Sequence, residues 1–373
     1  MARPGLATHL PRLCAAGLLL LAGLARAGCD PALATSPQFS AADCVFQNPV
    51  NPRAQPSQPA WKIWSRFLGS APPGTTPVDA IPVRPLTRAA LDALDNTANH
   101  VIRLGHSSHL LKLQGRYWLI DPVFGDRVSP VSFAGPRRFH PPPLALADLP
   151  PIEGLVLSHD HYDHLDLPTI TVLNGRVQRY FVPLGVGARL RAAGVEPQRI
   201  QEFDWWQGAS HAGVQVTATP AQHFSGRGLW DRDSTLWAGW VLQAGGQRIF
   251  YSGDTGYFGG FRQIGERLGP IDLALMENGA YDAYWPAVHM QPEEGIPHMV
   301  QMPVREQNTA NRQRIPTPLH QRRMQCPLPA NKAGVDEIQP LTIPQDEKLH
   351  DERADDEQIR RHADSYRLDS SFS

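Results

Sequence analysis

Apolar residues between positions 98 and 294 come in short runs of strand length, not in long helical stripes. HVIRLG from His100, SHLLKL from Ser108 and RYWLIDP from Arg116 are separated by Gly and Asp, the residues that punctuate strands. The unbroken run LVLS at 155–158 predicts a strand buried on both faces. LGVGARLRAAG at 184–194 has helical spacing, while VQVTAT, WAGWVLQ and RIFYSGD predict further strands. LALME at 273–277 predicts a last strand leading into a helix. Strands and helices mixed in this order predict a layered α/β fold with its chemistry at strand ends.

The flanks have a different texture. Residues 1–27 predict an export signal: Arg3 and Arg12 precede an apolar stretch too short to span a bilayer comfortably, and Ala25, Arg26, Ala27 form a small-x-small cleavage pattern. Cleavage after Ala27 would leave a chain beginning Gly28, Cys29, so the chain is expected to be exported, either periplasmic or lipid-anchored to the membrane through Cys29, with an uncleaved anchor as a further alternative. Cys29 and Cys44 are either a disulfide pair or two unrelated thiols. Residues 28–97, rich in Pro, Ala and small polar residues, predict an N-terminal extension that docks as an arm. It carries an apolar patch at Trp61, Ile63, Trp64, Phe67 and Leu68. All 9 Trp lie before Pro286, and 295–373 is dominated by Pro, Gln, Arg, Asp and Glu, which predicts a disordered tail.

With 42% hydrophobic residues the 373-residue chain has ample material for a core, and its formal net charge of -1 argues against a nucleic-acid partner. The chemistry concentrates in LVLSHDHYDH, which sets His159, His161, Asp163 and His164 directly after an apolar strand. Imidazole and carboxylate suit Zn²⁺, and four such groups so close together are too many for one open catalytic ion. The spacing therefore predicts two zinc ions, although one would already satisfy part of the set. A solvated polar loop would explain one histidine, but this many donors behind a buried strand would lose solvation without a partner. His223 after VQVTATPAQ and Asp254 after RIFYSG stand beyond further strand ends, where additional ligands belong.

SHDHYDH, a later His and a Gly-Asp strand end together resemble the metallo-β-lactamase superfamily. GHSSHLLKL, DPVFGDRVSPVSFAGPRRF and ENGAYDAYWPAVHMQPEE resemble its N-acyl-phosphatidylethanolamine-hydrolysing phospholipase D branch. The resemblance covers 98–294 and implies an αββα sandwich, a hydrolase domain with its dinuclear site at one edge. It implies His159, His161 and His223 on the first zinc, Asp163 and His164 on the second, and Asp254 between them. Tyr281 and His289 match positions near the substrate phosphate, with Asp163 and His289 as catalytic residues. His106 and His109 fall in a strand-turn region, with His106 supporting a ligand and not acting as one.

The implied reaction is phosphodiester hydrolysis of a lipid-like or other small substrate by a hydroxide shared between the metals, with peripheral membrane contact left open. The Trp61 patch and the Trp205, Trp206 pair are the candidate apolar faces, core packing being the alternative use of both. The same metals would also serve a lactonase or other ester hydrolase. The branch supplies a final His ligand and a last strand beyond Met290, and neither is legible here. His298, His320, His350 and His362 follow no apolar run. The C-terminal part of the fold therefore reads as missing or replaced, as a shifted reading frame would produce, which leaves an inactive metal-binding remnant as a further alternative. Nothing in the sequence fixes an oligomeric state.

Overall fold

The computed structural model describes residues 29–50 and 76–291, apart from Ser132, Leu229, Asn278, Ala280, Tyr281 and Ala283, together with Lys62 and Glu294. The export signal, the Trp61 patch, Tyr281 and the 295–373 tail lie outside the described residues. A short hairpin, β1 (Phe39–Ser40) and β2 (Val45–Phe46), precedes α1 (Arg88–Asp92). One sheet then has six strands in the order β3 (His100–Gly105), β4 (Ser108–Leu113), β5 (Arg116–Ile120), β6 (Ile152–Val156), β7 (Val177–Pro183) and β8 (Ile200–Phe203). It is antiparallel from β3 to β5 and parallel from β5 to β8. The parallel crossovers carry α2 (Leu167–Leu173) and α3 (Val186–Ala192). The second sheet has β9 (Gly208–His211), β10 (Val214–Thr219), β11 (Gly239–Ala244) and β12 (Gln247–Tyr251) as an antiparallel meander. After α4 (Gly260–Leu268), β13 (Leu273–Leu275) adds in parallel to β12.

Side-chain alternation sorts these strands into layers, because successive residues of a strand face opposite sides. Leu111, Trp118, Ile120, Val156 and Phe181 of the first sheet meet Val216, Trp240, Leu242 and Tyr251 of the second in one core. Leu110, Leu119, Leu155, Tyr180 and Val182 turn the other way, toward Leu91 of α1, Ile170 of α2 and Leu190 of α3. Val241 and Phe250 likewise turn outward to Phe261 and Ile264 of α4. The order helix, sheet, sheet, helix is the αββα sandwich. Both faces of both sheets are covered, which explains why LVLS carries no polar alternation.

The 184–194 helix appears as the shorter α3, and the expected strands from 100, 108, 116, 214, 248 and 273 are all present. WAGWVLQ enters its strand only at Gly239. The sequence reading did not single out β7, β8 and β9. Trp205 and Trp206 serve packing: Trp205 is 6% exposed and donates through Nε1 to the Trp237 carbonyl at 2.7 Å, while Trp206 stacks under Arg267. Cys29 and Cys44 form a disulfide. Among the described residues no helix is long and apolar enough to cross a membrane.

Gly154 shows how tightly the sheets close. It pairs with Trp118 across β5 and β6, and a Cβ there would lie 2.2 Å from the indole ring. Gly154→Ala should therefore destabilise the fold by about 1–3 kcal/mol through overpacking. Thermal melting checks this, and an unchanged midpoint would contradict it.

Candidate metal centre

Every candidate side chain leaves the carboxyl end of a strand or the loop just beyond it. His159, His161, Asp163 and His164 follow β6, His223 follows β10, and Asp254 follows β12. β6 has already ended at Val156, so the loop beyond it, and not strand alternation, aims His159 and His161. A tight turn, in which the amides of His164 and Leu165 both donate to the His161 carbonyl, folds the segment back on itself. Gly253 permits the approach from the second sheet: its φ is +59°, and a Cβ would lie 2.8 Å from that of Ser158.

His159 Nε2 lies 2.8 Å and His223 Nε2 lies 3.2 Å from His161 Nδ1, so three imidazoles converge on one point. A second group joins Asp163, His164 and His106. Asp254 faces both halves, with Oδ1 3.1 Å from His164 Nε2 and Oδ2 3.9 Å from His223 Nε2. All six predicted ligands are thus brought together, with Asp254 in the shared position. His289 is there too, with Nδ1 4.0 Å from Asp254 Oδ2. His106 contacts Asp163 at 3.2 Å and is half exposed, as a supporting residue would be. His109 lies on β4, where its ring donates to the Ser107 carbonyl, away from the cluster.

The outer hydrogen bonds decide which nitrogens carry lone pairs. His223 Nδ1 donates to the Val288 carbonyl at 2.9 Å, which leaves Nε2 bare. Ser158 spends its single proton on Asp121, so its oxygen accepts from His159 Nδ1 at 2.9 Å and His159 Nε2 is bare as well. His164 Nδ1 donates to Asp121 Oδ2 at 2.7 Å. Its Nε2 is buried and has no hydrogen-bond partner. The His159 and His223 lone pairs, with His164 Nε2 facing the Asp254 carboxylate at 3.1 Å, are a donor set that fits a divalent cation.

Asp121, which the sequence reading passed over, organises much of this. It is fully buried and also accepts the Ser158 amide at 2.8 Å and the Tyr251 hydroxyl at 2.6 Å. Its φ is +39°, a left-handed conformation that Asp tolerates better than most residues. The available signal was an acid directly behind the apolar run RYWLI. Glu277 was also missed: it ends the LALME run, accepts the Thr255 amide at 2.6 Å and pairs with His289 Nδ1. Asp160, inside the histidine run, points elsewhere and accepts the Gly226 amide at 2.8 Å.

Burial, reinforced by the neighbouring imidazoles, holds His159 well below the ordinary histidine range, and burial does the same for His223. Burial pulls His164 down too, but Asp254, Asp163 and Asp121 outweigh it and raise it well above that range. Asp254 is driven well below the usual carboxylate range because His164 overcomes the cost of burial. Burial and the Asp254 charge push Glu277 up to about 8 against the opposing pull of His289.

The profile of the Beta-lactamase superfamily domain family matches residues 116–307, which contain all six predicted ligands. An uncharacterised protein of Mycobacterium tuberculosis is 45% identical over 238 residues, covering 63% of this chain and 61% of its own. The N-acyl-phosphatidylethanolamine-hydrolyzing phospholipase D 1 of Caenorhabditis elegans is 40% identical over 206 residues, covering 52% of this chain and 58% of its own. The chain thus spans about three fifths of the length of these relatives. A metallo hydrolase from Ignicoccus hospitalis superposes with a TM-score of 0.41 at 21% identity, covering 55% of this chain and 78% of that one. The sequence match, the four-layer sandwich and the strand-end cluster together place this chain in the β-lactamase superfamily, among its metallo-β-lactamase-fold members.

Proposed function

We propose that the chain is a metal-dependent hydrolase of phosphodiester bonds that holds two zinc ions and acts on a lipid-like or other small substrate. The observation that carries this reading is the convergence of His159, His161, His223 and His164 nitrogens on either side of one shared Asp254 carboxylate. The similarity to the Caenorhabditis elegans phospholipase D supports phosphodiester chemistry over other esters. Phe133, Phe139 and Trp230, all exposed, stand on loops leaving Asp121 and His223, which suits an apolar substrate or a membrane surface.

His159, His161 and His223 would hold one ion, Asp163 and His164 the other, with Asp254 between them. Bound there, the ions would supply Lewis acidity and a water acidic enough to attack at neutral pH. Asp163, which contacts His106, would orient that water by accepting its hydrogen bond. His289, gripped through Nδ1 by Glu277 beside Asp254, is placed to protonate the departing alkoxide. No protein nucleophile is required. Export is part of the same proposal: the Cys29–Cys44 disulfide suits an oxidising compartment, and it occupies the sulfur that a lipid anchor at Cys29 would need.

His161→Ala or Asp254→Asn should abolish turnover of a chromogenic phosphodiester and lower bound zinc measured by elemental analysis. Full activity in either variant would contradict the ligand assignment. Asp121→Asn should weaken zinc binding by about 10–100-fold, as loss of an outer-shell acceptor does. Competition against a chelating dye measures this, and wild-type affinity would contradict the role given to Asp121. A lactone panel turned over in preference to phosphodiesters would overturn the substrate class while leaving the metal centre standing.

A further inference from the structure

Asn48 belongs to the N-terminal arm, outside both sheets, yet it is only 3% exposed and lies against His223. Its Nδ2 donates to the His223 carbonyl at 2.8 Å, and the His223 amide donates to its Oδ1 at 3.1 Å. Trp237 Nε1 donates to the same oxygen at 3.2 Å. One side-chain amide thus satisfies both backbone polar groups of a residue 175 positions away, as a neighbouring strand would. It is needed because β10 ends at Thr219, so His223 has left the ladder and no strand pairs with it.

The arm is anchored on either side of this contact. Phe46 is fully buried in the inter-sheet core, and its amide donates to the Asp233 carbonyl at 2.8 Å. Phe39 packs edge-on against Phe46, and the Cys29–Cys44 disulfide ties the chain upstream to the turn of the hairpin that holds both rings.

We propose that Asn48 is a positioning residue for the metal centre, and that the disulfide-closed arm serves to seat it. The Asn48 amide fixes the His223 backbone while the Val288 carbonyl fixes His223 Nδ1, so Nε2 is left one direction to face. The inference rests on the reading of His223 as a ligand.

The test uses the full chain and titrates the metal-free protein with cobalt(II), following the ligand-field absorption that reports coordination geometry. Asn48→Ala should bind one cobalt ion about 10–100-fold more weakly, with an altered band, while the other ion is held as in the wild type. Asn48→Asp keeps the acceptor for the His223 amide but sets an oxygen against the His223 carbonyl, and should weaken the same ion. Cys29→Ser combined with Cys44→Ser, remote from the ligands, should weaken that ion to a smaller degree. Wild-type affinity and spectrum in both Asn48 variants, with only the melting temperature lowered, would reduce Asn48 to a packing role and overturn the proposal. Equal weakening of both ions would do the same. A wild-type chain that takes up no cobalt would overturn the metal reading itself, and the proposal with it, whereas two ions bound normally by the Asn48 variants would sink the proposal alone.

Discussion

Nitrogen lone pairs buried beside carboxylates are the constraint on which this structure turns. Neither group is stable in a desolvated pocket by itself: the imidazoles need a donor to face, and the acids need positive charge. Asp121 sets the problem by accepting protons from His164 and Ser158, and through Ser158 it commits His159 as well. Lone pairs are thereby directed inward, and a divalent cation answers both requirements at once. The same carboxylates raise the proton affinity of His164, while burial lowers that of His159 and His223.

The sandwich exists to hold this arrangement still. β6 and β12 deliver His159 and Asp254 from opposite sheets, so the distance between the two halves of the site is set by the inter-sheet core. That core is close-packed to the point that Gly154 has no room for a methyl group. Rigidity of this kind suits a centre whose donors must stay aimed to a fraction of an ångström. The arm and its disulfide would extend the same logic to His223, which stands beyond the end of β10.

Much of this was legible in the sequence, for definite reasons. β4, β5 and β12 are legible as short apolar runs because both of their faces are packed, and β10 keeps the alternation VQVTAT because its burial alternates too. His159, His161, Asp163 and His164 are adjacent in the chain, so a local pattern reveals them. Asp121 and Glu277 open two of the stretches that resemble the family and Asn48 lies in the arm, but their roles arise from contacts across 37, 12 and 175 positions, which no local pattern displays. β8 and β9 were hard to see because their burial is partial and they carry polar residues, as in IQEF and GASH. Asp160 is the converse case: it sits inside the motif and yet braces a loop.

The central claim is that these donors bind cations through nitrogen and oxygen alone. X-ray absorption at the zinc edge of the purified, zinc-loaded full chain tests it most directly. The account predicts a first shell of nitrogen and oxygen at about 2.0–2.2 Å with imidazole outer-shell scattering and no sulfur. A folded chain that retains no zinc, or zinc with sulfur in its first shell, would contradict it.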